Sequence, residues 1–194
     1  MRQILINVEP YEKRVAITYR GALEEFYIER SDQPRLAGNI YKGTIESVVP
    51  GIGALFVNIG TGKNGFLYIR DLEEKTSSTP TAPQPARIKK GEVVLAQIVK
   101  EPIGTKGPLL TTDISLPGKY LVLMPFSDTL GISKRIEDTR QRSSLKEVLE
   151  KLHLPKGIGC IARTESLGAS PRQLKLEVRY LMNLWSRIRY RAES

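Results

Sequence analysis

The stretch GNIYKGTIESVVPGIGALFVNIGTGKNGFLYIR, residues 38–70, decides the fold. Its apolar and β-branched runs at Ile40–Val49, Ala54–Ile59 and Phe66–Ile69 are cut by glycine-rich turns at Gly51–Gly53 and Gly60–Gly65. Short runs of this kind, bounded by Gly, Pro and Asn, predict consecutive antiparallel strands. Tyr41, Lys42, Phe56, Lys63, Phe66 and Tyr68 are spread over the same stretch. Rings and lysines on a small barrel suit a surface that stacks bases and holds phosphates.

Downstream, Asp71–Arg87 contains SSTPTAPQPAR, a Ser/Thr/Pro-rich break expected to be a mobile loop without packed structure. A turn at Lys89-Lys90-Gly91 introduces a fourth strand at Val93–Val99. The loop KEPIGTKGP leads to a fifth at Leu109–Thr112. Five strands with a long insertion after the third match a Greek-key OB barrel. Upstream, SDQPRLAG is a polar linker, and residues 3–30 read as a three-run meander with a hairpin turn at Arg20-Gly21. So short a sheet cannot bury both faces alone, so exposed apolar surface and self-association are expected of it.

After the barrel the pattern changes. Tyr120–Met124 is a fully apolar run read as a buried strand, Gly131–Ile136 a polar-edged second strand, and Ile158–Arg163 a third. Leu145, Val148, Leu149 and Leu152 predict a helix over Leu145–Leu152, capped by Ser143 or Ser144 and stopped by Pro155 and Gly157. Ser170-Pro171 opens a final helix reaching about Ala192, with Leu174, Val178, Leu181, Leu184, Trp185 and Ile188 on one stripe. So long a helix at the end of the chain implies a larger protein of which this is one part.

The net charge of +9 over 194 residues favours a polyanionic partner, nucleic acid first. With 40% hydrophobic and 26% charged residues the composition is globular. The single cysteine excludes a disulfide framework and a cysteine-rich zinc site within one copy. The apolar run Ile4–Val8 is too short for a signal peptide or a membrane span, so a cytoplasmic protein is expected.

Catalytic signatures are missing: there is no nucleophile elbow, P-loop or dinucleotide fingerprint. His153, at a helix end, reads as a surface histidine, and Cys160, beside Ile158 and Ile161, as a structural thiol. Asp71, Glu73 and Glu74 flank the loop and offer no rigid metal site. Binding signals are stronger. Phe56 and Phe66 fall on neighbouring strands and Lys106 precedes strand five. Alternation alone leaves open whether one or both rings fill the core; Gly65 favours an outward Phe66. In Ile161–Ser166, an Arg163-Thr164 pair at a strand end can grip a terminal phosphate, with Gly118 allowing close backbone approach. An ordinary surface salt bridge is the competing reading of that pair.

Taken together, NIYKGTIESVVPGIGALFVNIG with GFLYI, LLTTDISLPGKYLVLMP, GISKRIE, GIGCIARTES and RYLMNLWSRI resemble, in order, the N-terminal part of the RNase E/RNase G family of bacterial endoribonucleases. The resemblance implies an α+β fold of several subdomains. Residues 1–35 would be the first part of an RNase-H-like subdomain. Residues 36–112 would be an inserted OB domain of the kind repeated in an mRNA-binding ribosomal protein. Residues 113–170 would be a 5′-sensor subdomain, and residues 171–194 a long helix leading back.

By position in these strings, the resemblance assigns Gly118, Val122, Arg163 and Thr164 to a pocket for a 5′-monophosphate. It assigns Phe56, Phe66, Lys106 and Lys42 to RNA contacts on the barrel, and Lys134 and Arg135 to a basic pair beside the sensor. Lys134 stands where an arginine is expected, and the loop 74–87 is longer than a tight OB connection. The implied partner is single-stranded RNA with a 5′-monophosphate, in RNA processing and mRNA decay. The implied catalytic aspartates with their magnesium, and a cysteine–zinc link between subunits of a homo-oligomer, fall outside these residues. This chain alone is therefore expected to bind RNA without cutting it. The alternative is a non-catalytic OB protein acting in translation or ribosome assembly.

Overall fold

The first 30 residues form a plain antiparallel meander. Strands β1 (Arg2–Val8), β2 (Glu12–Tyr19) and β3 (Ala22–Arg30) lie in the order β1-β2-β3. At the hairpin between β2 and β3, Arg20 and Gly21 both have positive φ, 50° and 81°. That pair of left-handed residues matches the twist of the flanking strands. Ile4, Ile6, Val8, Leu23 and Phe26 remain exposed, as expected for a sheet this small. In this computed structural model, residues 1–30, 35–73 and 88–193 are described. The loop expected over 74–87 and half of the linker therefore lie outside the described residues. Residues 1–37 and 38–194 are separate compact units.

The second unit opens with the barrel. Strands β4 (Ile40–Val49), β5 (Ala54–Asn58), β6 (Gly65–Tyr68), β7 (Val93–Lys100) and β8 (Leu109–Thr111) close in the order β4-β5-β6-β8-β7. All neighbours are antiparallel except β6 and β8, which is the pairing of an OB barrel. Register shifts at Ile45/Ser47 and Ile98/Lys100 bend the two longest strands. Such bulges increase local twist and let a short sheet curl shut. Ile45, Leu55, Val57, Leu67, Ala96, Ile98 and Leu110 fill the interior. The third strand is displaced by one residue from the expected Phe66–Ile69: Ile69 leaves it to open a one-turn helix α1 (Ile69–Glu73), so residues 71–73 of the expected loop are helical.

The remainder is an α+β layer. Strands β9 (Leu116–Pro117), β10 (Leu121–Met124), β11 (Leu130–Ile132) and β12 (Gly159–Ala162) form a mixed sheet in the order β11-β12-β10-β9, with β11 parallel to β12. The expected strand Gly131–Ile136 is cut short because Ser133 turns the chain, its carbonyl accepting from the Ile136 N–H at 3.1 Å. Helix α2 runs Thr139–Glu150, starting at Thr139 where the apolar spacing indicates Leu145. Its cap is Asp138, whose carboxylate accepts the Gln141 N–H at 2.8 Å, and not Ser143 or Ser144. Helix α3 (Pro171–Glu193) matches the reading closely. Ser170 and Gln173 exchange hydrogen bonds at its start, a capping box that satisfies two otherwise unpaired N–H groups. Leu174, Val178, Leu181 and Trp185 bury one face of α3 against Leu116, Leu121, Leu123 and Leu149. Half-buried Ile40 and Leu95 of the barrel pack on the same core.

Candidate nucleic-acid interface

Strand alternation sends Leu55, Val57 and Leu67 inward, which turns Phe56 and Phe66 to the outside of the barrel. The two phenylalanines are direct cross-strand partners. Their centroids lie 5.9 Å apart with rings at 83°, an edge-to-face pair, and both are half-buried. They form one wall of a cleft of about 620 Å³ whose other lining residues are Lys63, Asn64, Thr105, Lys106, Gly107 and Leu109.

Two loops bring the lysines there. Ile103 and Lys106 pair across a tight reversal, each N–H donating to the other's carbonyl at 3.2 and 2.9 Å. Lys63 reaches over to donate to the Gly104 carbonyl. Gly107 passes so close to the Asn64 carbonyl that a Cβ would sit 1.8 Å from its oxygen, so only glycine allows this approach. The result is two ring surfaces beside two ammonium groups. Such a cleft can stack a base and neutralise a phosphate. Lys42, on β4, is exposed but is not part of this lining.

A second polar cluster lies at the sheet of the α+β layer. Arg163 follows β12 and caps a 3₁₀ turn, Thr164–Gly168. Its backbone N–H donates to the Tyr120 carbonyl at 2.8 Å, and its Nη1 donates to the carbonyl of Gly118. Thr164 Oγ1 donates to Glu165 Oε2 at 3.1 Å, and Arg163 Nε is 3.8 Å from the same oxygen. Glu165's own backbone N–H and the Thr164 hydroxyl, with Arg163 and Arg135 nearby, hold the Glu165 carboxyl below its usual range. Arg163, Thr164, Gly118 and Arg135 thus converge. Val122, on β10, pairs with Ile161 and Pro117 in the neighbouring strands. Lys134 is exposed on the turn after β11.

Glu177 of α3 supports this cluster from below. Its carboxylate accepts three successive backbone N–H groups, of Lys119, Tyr120 and Leu121, at 2.7, 2.8 and 2.7 Å. Gly118 lies against it: a Cβ there would be 2.7 Å from the carboxylate carbon. Cys160, in β12, is buried and unpaired, and burial pushes its thiol up to about 11, so it is inert as a nucleophile at neutral pH. Among the described residues no three His, Cys, Asp or Glu side chains are grouped to hold a metal.

Residues 115–194, which carry the second cluster, match the Ribonuclease E/G family. Ribonuclease G of Haemophilus influenzae is 38% identical over 194 aligned residues, covering 96% of this chain and 39% of that protein. The chain belongs to the ribonuclease E/G family. Ribonuclease G of Escherichia coli K12 is likewise 38% identical, over 96% of this chain and 40% of its own length. Ribonuclease E of the same strain is 39% identical over 201 aligned residues, covering 100% of this chain and 19% of itself. This family member therefore spans about two fifths of the ribonuclease G relatives and about one fifth of that ribonuclease E. Among solved structures, the a/eIF2alpha–aDim2p–rRNA complex of Pyrococcus horikoshii aligns at 13% identity over 62% of this chain and 58% of that one. Its TM-score of 0.31 is too low to bear on fold or function.

Set against the sequence reading, this ribonuclease E/G family chain brings Phe56, Phe66 and Lys106 together on the barrel, and Gly118, Arg163, Thr164 and Arg135 on the sheet. Sequence reasoning noted Lys63 only as part of a basic stretch and missed Glu165 and Glu177 as site residues. Lys63 was detectable, since it flanks the same glycine-rich turn as Phe66. Glu177 was not, because its partners are 56–58 residues away in sequence.

Proposed function

We propose that this chain is the RNA-binding and 5′-end-sensing part of a single-strand-specific endoribonuclease acting in RNA processing and decay. The observation that carries the reading is the cleft of Phe56, Phe66, Lys63 and Lys106 on the barrel. Base stacking on an aromatic contributes about 1–3 kcal/mol per base irrespective of sequence, and each lysine adds a salt-dependent phosphate contact. That combination holds a single strand without demanding a base order.

The sensing half rests on the Arg163 cluster. A guanidinium fork, a hydroxyl and a neighbouring arginine recognise a phosphate monoester by charge-assisted hydrogen bonds. In this reading the phosphate takes the place now held by the Glu165 carboxylate, and Gly118 keeps the backbone close enough for contact. Residues 1–35 then belong to an RNase-H-like subdomain. The magnesium and zinc that the family resemblance implies would be held by residues outside this chain, since among the described residues no three His, Cys, Asp or Glu side chains are grouped.

The test is direct binding of short single-stranded RNAs that differ only in a 5′-monophosphate or 5′-hydroxyl. The phosphorylated strand binds more tightly, and Arg163→Ala removes that difference while leaving the hydroxyl strand unaffected. Equal affinities, unchanged by Arg163→Ala, overturn the sensing claim; undiminished binding by Phe66→Ala overturns the barrel claim.

A further inference from the structure

The aromatic surface of the barrel does not stop at the cleft. Phe66 and Tyr68 are two residues apart on β6, so their side chains share the outer face, while Leu67 and Ile69 between and after them are buried. Their ring centroids are 5.0 Å apart at 87°, again edge to face. Opposite Tyr68 stands Ala54, whose methyl cannot screen a phenol ring. Tyr68 is 36% exposed. Beyond it the Arg70 guanidinium lies over the Tyr68 ring, 4.6 Å from the centroid, on a side chain that is 72% exposed. Its ion-pair partner Asp71 is 3.7 Å away on the helix surface.

Phe56, Phe66, Tyr68 and Arg70 thus form an unbroken series of π and cationic surfaces, with Lys63 and Lys106 at the other end. From this geometry we propose that the single-stranded RNA track continues out of the Phe56–Phe66 cleft over Tyr68 to Arg70, adding one base position and one phosphate contact. This rests on the RNA-binding reading of the barrel. The occupant is a splayed single strand. Alternate residues of a strand stand about 6.6 Å apart, roughly twice the 3.4 Å rise of a stacked strand, so bases on successive rings must be unstacked from each other. The guanidinium now over Tyr68 marks a planar π-stacking place: a base entering there lies on the phenol ring, and Arg70 moves to the flanking phosphate.

The experiment uses 5′-hydroxyl oligouridylates of two to eight nucleotides, which leave the phosphate pocket out, and reads affinity by fluorescence anisotropy. For Tyr68→Ala, binding of the longer oligomers falls about tenfold while the shortest bind as to wild type; Tyr68→Phe keeps full affinity. Arg70→Gln lowers the salt slope for long oligomers by about one unit. The extended track is overturned if Tyr68→Ala binds every length like wild type while Phe66→Ala is impaired, or if it is impaired equally at every length. If Phe66→Ala also binds normally, the barrel reading itself fails, and the aromatic face serves another class of partner.

Discussion

Replacing Glu177 by glutamine tests how the Arg163 cluster is held. The native carboxylate accepts three backbone N–H groups at 2.7–2.8 Å, two on Oε2 and one on Oε1. A glutamine amide of the same shape has one oxygen. Kept at the Oε2 position, it retains the Tyr120 and Leu121 N–H groups as neutral bonds, and its NH₂ then faces the Lys119 N–H, donor against donor. Hydrogen bonds to a charged group contribute about 1.5–3 kcal/mol each and neutral ones about half that. One bond is lost and two are weakened, but Lys119 is exposed and water takes up its N–H. The net cost is therefore about 2 kcal/mol. For a domain of this size that lowers Tm by about 4–8 °C.

Trp185, the only tryptophan, is buried in the core that α3 forms with the sheet, so its fluorescence reports melting of this layer. Gly118→Ala forces a Cβ against the same carboxylate and should produce a similar loss. Because both changes disable one contact, the double substitution should be no worse than the more damaging single one. A Glu177→Gln melting point within about 1 °C of wild type, or fully additive losses, would refute the clamp.

Glu165→Gln should raise affinity for 5′-monophosphorylated RNA roughly two- to fivefold, the scale of an exposed ion pair, with 5′-hydroxyl RNA unchanged; paired binding titrations check it. The buried Cys160 thiol should resist alkylation at pH 8 in the folded chain and react on unfolding, as mass spectrometry would read. Since the folded thiol is raised from 9.0 to about 11, its contribution to stability is full below pH 9 and is lost as pH rises through about 11. Urea melts of the wild type and Cys160→Ala should converge over that window.

The barrel strands were legible because each is a β-branched run between glycine breaks, a local signal. The side to which Phe56 turns was not, since the bulge at Ile45/Ser47 breaks simple alternation along the partner strand. The start of α2 was hidden for another reason. Its first turn, Thr139–Arg142, carries no apolar residue, so periodicity begins only at Leu145, and Asp138 competes with two later serines as a cap. In the Arg163 cluster, the Arg-Thr pair and Gly118 could be picked out as types. Their meeting could not, because it depends on β10 and β12 lying side by side and on a carboxylate from α3.

Buried Gln97 has a consequence for how force crosses this protein. Its amide donates to the carbonyls of Gly38 and Ser115 at 2.9 and 3.0 Å, and its oxygen accepts the Ser115 N–H at 2.9 Å. The chain enters the barrel beside Gly38 and leaves it by Ser115, so one side chain fastens both crossings at a single knot. A pull on a strand lying over the aromatic face then reaches the α+β layer through that knot and through the Ile40 and Leu95 side chains packed on its core. Sliding the barrel sideways against that layer means tearing these buried amide bonds.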